Sequence, residues 1–298
     1  MEIRGNMMSK PKNFEEAKSF KGPLYYSYKV FQYVFLIFLV CLSLFPFVVM
    51  IINATRSTHD IEAHAVSLIP GSNLAYNFKV FAGKSFKPAT GFINSAIVST
   101  GATILTVYFS TMTAFAIVAY DWKFKKAFFT FIMCVLMIPA QVTSIGMYQF
   151  MYSVGLTNKL IALIIPAVAA PSTVFFMRQY MYSSLPMEIL QSARIDGAGE
   201  FRIFNQIALP MMKPAMATQA IFAFVSKWNE LFLPMILITD KEKYTMPVMV
   251  AQLNGDIYRT EHGAIYLGLT LTVLPLFIVY FLLSKYIIAG VALGGVKE

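Results

Sequence analysis

Two charged residues stand where charge is unfavourable. The run ATQAIFAFVSKWNELFLPMILI, residues 217–238, is apolar apart from a few polar positions, yet carries Lys227 and Glu230 near its middle. An ionised side chain at a bilayer centre costs about 2.5–3.5 kcal/mol on insertion scales. At i,i+3 spacing the two can face each other on one side of a helix and neutralise. The functional reading places Trp228, Asn229 and Glu230 beside a water-filled path and leaves Lys227 outside that cluster. An indole offers a flat apolar face, while an amide and a carboxylate offer hydrogen bonds, which is the chemistry a polyhydroxylated ligand needs. Tyr148 and Gln149, with Gln141 nearby, carry similar groups on another apolar run. There, plain interhelical hydrogen bonding is the simpler reading.

Other chemical signals are weaker. Gly83–Lys84–Ser85 resembles the end of a phosphate-binding loop, but that motif needs a glycine where this chain has Phe78. His59 and His64 flank Asp60 and Glu62 at a separation that misses the i,i+4 pairing of a helical metal site, and His262 is far off in sequence. Cys41 and Cys134 lie in apolar runs without a Cys or His close by in sequence and read as small apolar fillers. GxSxG, HExxH and CxxC are absent from the sequence. No catalytic residue, metal ligand or resident cofactor is therefore assigned.

The elements that position these residues follow from composition. Of 298 residues, 57% are hydrophobic and 13% charged, against about 25% charged in a soluble domain. Mean hydropathy is +0.63. This excludes an ordinary soluble enzyme, and 45 aromatics exclude disorder. Apolar segments near 30–52, 91–120, 127–151, 160–180, 215–238 and 263–284 predict an all-α polytopic membrane protein with six transmembrane helices. Pro46 is expected to kink the first of them. The first loop, 53–90, predicts a short helix with Ser57 as its cap and Asp60 three positions on. Lys and Arg number fifteen on the N-terminal side of the membrane and eight on the other. That bias predicts both termini in the cytoplasm and loop 53–90 outside. The net charge of +9 points to anionic lipid headgroups rather than nucleic acid, since no basic stripe with interleaved aromatics is present.

The segment 181–214 is too long for a simple connector. Ser184 is expected to cap a helix with Pro186 in its first turn and Glu188 near its positive end. Leu185, Ile189 and Ala193 are expected to share one face. Asp196–Gly197 breaks that helix, with Gly197 free to take positive φ. Phe201, Phe204 and Ala208 predict a second amphipathic helix, ended by Pro210 and Pro214. A membrane-lying hairpin is the alternative for this pattern; a socketed contact with another protein is the functional one.

LPMEILQSARIDGAGEFRIFNQIALPMMKPA, within this segment, resembles the cytoplasmic EAA loop of ABC importer permeases. Gln191–Ser192–Ala193 occupy the E-A-A positions; Asp196–Gly197–Ala198 and Ile207–Ala208–Leu209–Pro210 match the rest. Gln191 replaces the family's glutamate and Ser192 its first alanine, so a hydrogen bond would stand in for a charge pair. NLAYNFKVFAG, GFINSAIVST, KWNELFLPMILIT and SKYIIAGVALGGVKE resemble the six-helix subunit of the maltose-type carbohydrate permeases. The resemblance implies a cytoplasmic segment over 1–29, a transmembrane domain over 30–286 and a cytoplasmic tail over 287–298. It implies a bacterial inner-membrane protein, paired with a second related permease and served by an extracytoplasmic solute-binding protein. A separate ATPase dimer would hold the ATP and Mg, so this chain itself is not an enzyme. Glu188, Gln191, Ser192, Ala193, Asp196, Gly197, Ala198 and Glu200 would meet that ATPase. Carbohydrate, as an oligosaccharide, is the implied cargo. The alternatives are an acidic oligosaccharide or glycerol phosphate compound on the same architecture, and a stand-alone secondary transporter.

Overall fold

A computed structural model describes residues 23–83, 87–254 and 260–295. Lys84 and Ser85 of the phosphate-loop look-alike lie outside the described residues. No strand occurs among the described residues. Four stretches are long and apolar enough to cross a membrane: Tyr26–Asn53, Pro88–Ala119, Ile161–Ser184 and His262–Leu282. The number is up to six if each of two sharply bent helix pairs counts as one span.

Residues 1–49 and 50–298 form separate units. The first contains most of α1 (Pro23–Asn53), which carries Pro46 internally. Its side chains from Tyr26 to Val48 are exposed, Cys41 among them, so this cysteine fills no core. Cys134 is likewise exposed.

In the second unit, prolines decide where the apolar runs bend. The expected third span divides into α5 (Lys125–Leu136) and α6 (Ala140–Ser153), inclined at 103°. Pro139 is extended at the break, where its ring disfavours helix in the preceding residue. The fourth comprises α7 (Ile161–Ile164), a 3-10 turn (Ile165–Val168) holding Pro166, and α8 (Pro171–Ser184). The fifth, expected as one helix over 215–238, is α12 (Lys213–Trp228) and α13 (Phe232–Leu237). Pro234 explains that interruption: its ring would collide with the carbonyl of residue i−4, which is Glu230. By contrast α4 (Pro88–Ala119) is a single helix, as expected. After α14 (Met246–Asn254), α15 runs from His262 to Gly295 and contains Pro275. The helix thus continues well past residue 286, where a tail was expected.

Loop 53–90 is built rather than slack. Its short helix α2 (Thr58–Ala63) is capped as expected: Ser57 accepts from the Asp60 amide. Arg56, 7% exposed, donates to Asn53 Oδ1, His64 O and Asp60 O. A further helix, α3 (Leu74–Gly83), places the Asn77 amide against the carbonyls of Ala54 and Arg56. The sequence reading missed that helix, and it missed that His262 lies 3.7 Å from Glu62.

The hub is α4, which packs on α8, α12 and α14. Its buried positions are mostly small: Ser95, Ser99, Ala102, Thr106, Ser110 and Ala114. Between apolar helices in lipid, small residues let backbones approach and gain dispersion contacts. Thr111 and Thr113 satisfy their hydroxyls on carbonyls one turn back in the same helix.

Candidate functional site

The segment 181–214 folds back onto the end of α4. α8 runs through Ser184, so Ser184 ends one helix instead of capping the next. Leu185 is extended and Pro186 is the first residue before α9 (Met187–Ile195), because a residue preceding proline leaves the helical region. The helical register therefore restarts at Met187, and counting i,i+4 from Leu185 fails. The buried positions of α9 are Leu190 and Ala193, while Ile189 is exposed.

The C-terminus of α9 closes as a Schellman turn. The Gly197 amide donates to Arg194 O and the Ala198 amide to Ala193 O, both at 3.0 Å. Gly197 has φ +78°, as the sequence predicts, and no atom lies within 4 Å of where its Cβ would be. Conformation, rather than crowding inside this chain, requires the glycine.

The second helix is α10 (Glu200–Ile203), continued by a π turn (Phe204–Ala208) and α11 (Leu209–Met211). In the π turn the Leu209 amide reaches back to Phe204 O. This added residue lets the helix carry Pro210, which has no amide to donate. The bend to α12, 80°, falls at Met212. Ile203, Phe204 and Ala208 are buried, but Phe201 is 71% exposed, so the expected Phe201 face turns outward.

Three polar side chains cross-link this segment. Arg194 donates from Nε to Glu200 Oε1 (2.7 Å) and from Nη2 to Oε2 (3.2 Å). The Tyr120 hydroxyl, just past the end of α4, donates to Oε2 at 2.6 Å. The Arg194 guanidinium also sits 5.3 Å from the Tyr120 ring centre. The Arg194 hydrogen bond, then that of Tyr120, holds the Glu200 carboxyl below its usual range. Burial, then the Glu200 hydrogen bond, pushes the Tyr120 phenol up to about 12. Glu200 is thus committed inside the chain. Ser192 donates to Glu188 O at 3.0 Å, whereas Gln191, Ile195 and Asp196 stand exposed around the turn.

The expected ligand path is redistributed. Trp228 is 3% exposed, donates to Thr272 O at 2.9 Å and stacks on Phe224 at 5.6 Å. Its indole serves the packing of α12 on α15 and offers no open face. Asn229 ends α12 and borders an apolar crevice of about 390 Å³ beside α14 and α15. Lys227 donates to Glu230 at 2.8 Å, the expected pair, with both side chains about a quarter exposed. Tyr148 and Gln149 are exposed on α6, Tyr148 stacked on Tyr152. No hydrogen bond or ring contact among the described residues joins them to 227–230.

The sequence reading missed a polar cavity of about 270 Å³ between α4, α8 and α12. Thr106, Ser172, Thr173, Gln219, Ser226 and Lys227 supply its polar lining and Phe222 its aromatic wall. Gln219 and Thr173 are 8% and 5% exposed, and neither side chain has a hydrogen-bond partner among the described residues. Both residues line the cavity, so their polar groups face it. A signal existed: Gln219, Phe222 and Ser226 stand at i, i+3, i+7, one face of a helix.

The family described as binding-protein-dependent transport system inner membrane component matches residues 106–292. The chain is 32% identical over 262 residues to the arabinooligosaccharides transport system permease protein AraQ of Halalkalibacterium halodurans, covering 87% of this chain and 93% of that one. It is 29% identical over 268 residues to the lactose transport system permease protein LacG of Rhizobium radiobacter, covering 90% and 96%. Among solved structures it is similar to a chain of a bacterial ABC transporter involved in the import of the acidic polysaccharide alginate. There the TM-score is 0.75 at 20% identity, over 90% of this chain and 99% of that chain.

Proposed function

The chain belongs to the family of binding-protein-dependent transport system inner membrane components, and we propose that it forms half of the pathway of an ATP-driven importer for neutral oligosaccharides. It works beside a second, related permease. The turn at 196–199 is the contact for a separate ATPase, and the cavity between α4, α8 and α12 meets the cargo. The observation that carries the reading is the loop itself. Its interior groups are satisfied, yet Ile195 and Phe201 flank the turn at 87% and 71% exposure. Large apolar side chains in that setting mark a surface that a protein covers.

The cavity supports the cargo class. A buried amide, several hydroxyls and the face of Phe222 match the alternating hydroxyl and C–H surfaces of a sugar. The ammonium of Lys227 would favour an acidic sugar, but Glu230 already neutralises it at 2.8 Å. That pairing favours a neutral cargo over the acidic alternative. A solute-binding protein outside delivers the sugar, and both termini lie in the cytoplasm, as the basic bias of the connectors implies.

The test places a lone cysteine at Ser192 after replacing Cys41 and Cys134. An impermeant maleimide should leave it untouched in intact cells and label it in inverted vesicles. Added ATPase subunit should then protect it. Labelling in intact cells, or no protection by the ATPase, overturns the reading.

A further inference from the structure

Leu190 and Ala193 before the turn and Ile203 and Phe204 after it share one buried cluster with Phe115 and Ala119 of α4, but that apolar packing is not directional. Gly197 and Gly199 both have empty space where a Cβ would sit, so no side chain of their own braces the turn. One carboxylate spans the turn. Glu200 is the first residue of α10 and Arg194 lies in the last turn of α9, and their side chains meet at two points, 2.7 and 3.2 Å. The same carboxylate takes the Tyr120 hydroxyl at 2.6 Å, and Tyr120 directly follows α4. Phe115, one turn before the end of α4, meets the Tyr120 ring edge-on at 5.8 Å and Phe204 at 5.4 Å.

We propose that Tyr120, Arg194 and Glu200 form a latch that fixes α9, α10 and the end of α4 as one body, with Tyr120 the positioning residue. A push on α9 then moves α4, which carries Thr106 in the cavity wall. Without the latch only the apolar cluster joins the three, and the glycine turn takes up most of the push. The inference rests on the importer reading, but it concerns contacts within this chain.

The experiment uses the assembled importer in proteoliposomes, with a single cysteine at Ala223→Cys on the cavity wall and native cysteines replaced. The probe is ATP with vanadate, so no sugar need be known. Three quantities are read: assembly, ATP hydrolysis, and the change in maleimide labelling on vanadate trapping. With the native latch, trapping should change labelling clearly. Tyr120→Phe keeps the ring and removes only the hydroxyl. It should shrink that change by about tenfold, the scale of one hydrogen bond to a charged group, while assembly and hydrolysis persist. Glu200→Ala should act alike, and the double variant no worse than either single, because both remove one coupled unit. Glu200→Gln should keep most of the response, since its carbonyl still accepts from Tyr120.

If Tyr120→Phe responds as the native chain does, the latch falls and the importer reading stands. If it fails to assemble, the hydroxyl is a folding element and the latch falls as well. If the native latch shows no response to trapping while ATP is hydrolysed, the importer reading falls and takes the latch with it.

Discussion

The turn at 196–199 and the gap at 229–231 both interrupt a helix, and they are made in opposite ways. The turn has glycine at positive φ, two Schellman bonds and an ion pair across it. Several of its hydrogen-bonding groups are spent holding one shape, and outside it shows Ile195 and Phe201 beside the charged Asp196 and Arg202. The gap has no glycine. A proline four residues downstream forces it, and polar groups collect beside it: Asn229 at a helix end, Lys227 and Glu230 on each other. Nearby, Gln219 and Thr173 have no partner among the described residues. A segment that transmits force needs few soft internal contacts, whereas a segment that receives a passing ligand needs polar groups still available. The two regions differ in the way that the proposed coupling and cargo roles require.

The largest effect should come from breaking the first region. Gly197→Val puts a β-branched residue at φ +78°, a strain of about 1–2 kcal/mol that the turn relieves by reopening. Uptake of labelled sugar into vesicles, normalised to assembled complex, should fall by roughly 5- to 30-fold, the factor that such a strain implies, with the membrane helices intact by circular dichroism. Uptake near the native level would show that the turn's shape does not matter to coupling.

The contrast also explains what the sequence disclosed. The turn was legible because Asp-Gly carries its own backbone preference, which neighbours do not alter. Ser57 was legible as a cap for the same local reason. The faces of α9 and α10 were misread because Pro186 resets the helical register between Leu185 and Met187, and because the π turn inserts a residue before Pro210. Trp228 was misread because an indole beside Asn and Glu looks alike whether it faces a path or a carbonyl. Only the position of α15, which brings Thr272 O to it, separates the two. The polar cavity needed three helices at once, and proximity between α4, α8 and α12 is not a local property.

A smaller effect tests the second region. The sequence suggested that Glu230 matters more than Lys227, but Lys227 is the member that lines the polar cavity. Each single alanine variant leaves the other, only partly exposed charge without its partner and should lower assembly. The double variant Lys227→Ala/Glu230→Ala leaves no orphan and should assemble normally. Its uptake should remain several-fold low, on the scale of one lost hydrogen bond, through a raised KM as the cavity loses its ammonium donor. Native KM in the double variant would make the pair purely structural and confine the cargo site to Gln219, Thr173 and their neighbours.

The smallest expected effect is that of pH near neutrality, which should be none. Glu200 has its carboxyl held below the ordinary 4.5, chiefly by the Arg194 hydrogen bond. A lowered carboxyl contributes stability above its ordinary value and loses it as pH falls through the lowered one. Tyr120 is raised from 10.0 to about 12, chiefly by burial. Its contribution is complete below 10.0 and is lost as pH rises through about 12. Arg194 is raised above its ordinary value, chiefly by its hydrogen bond to Glu200, and stays cationic throughout. No member of the latch therefore changes charge between about pH 6 and 9. The Ala198 amide, bonded to Ala193 O in the turn, reports whether the latch is shut. Its hydrogen-exchange protection factor, corrected for intrinsic exchange, should be flat across that window. It should fall only in acid, as Glu200 takes up its proton and lets go of Arg194. A step in protection near neutrality that disappears in Tyr120→Phe would mean that the latch titrates where the cell works, and that the first region is a switch rather than a fixed lever.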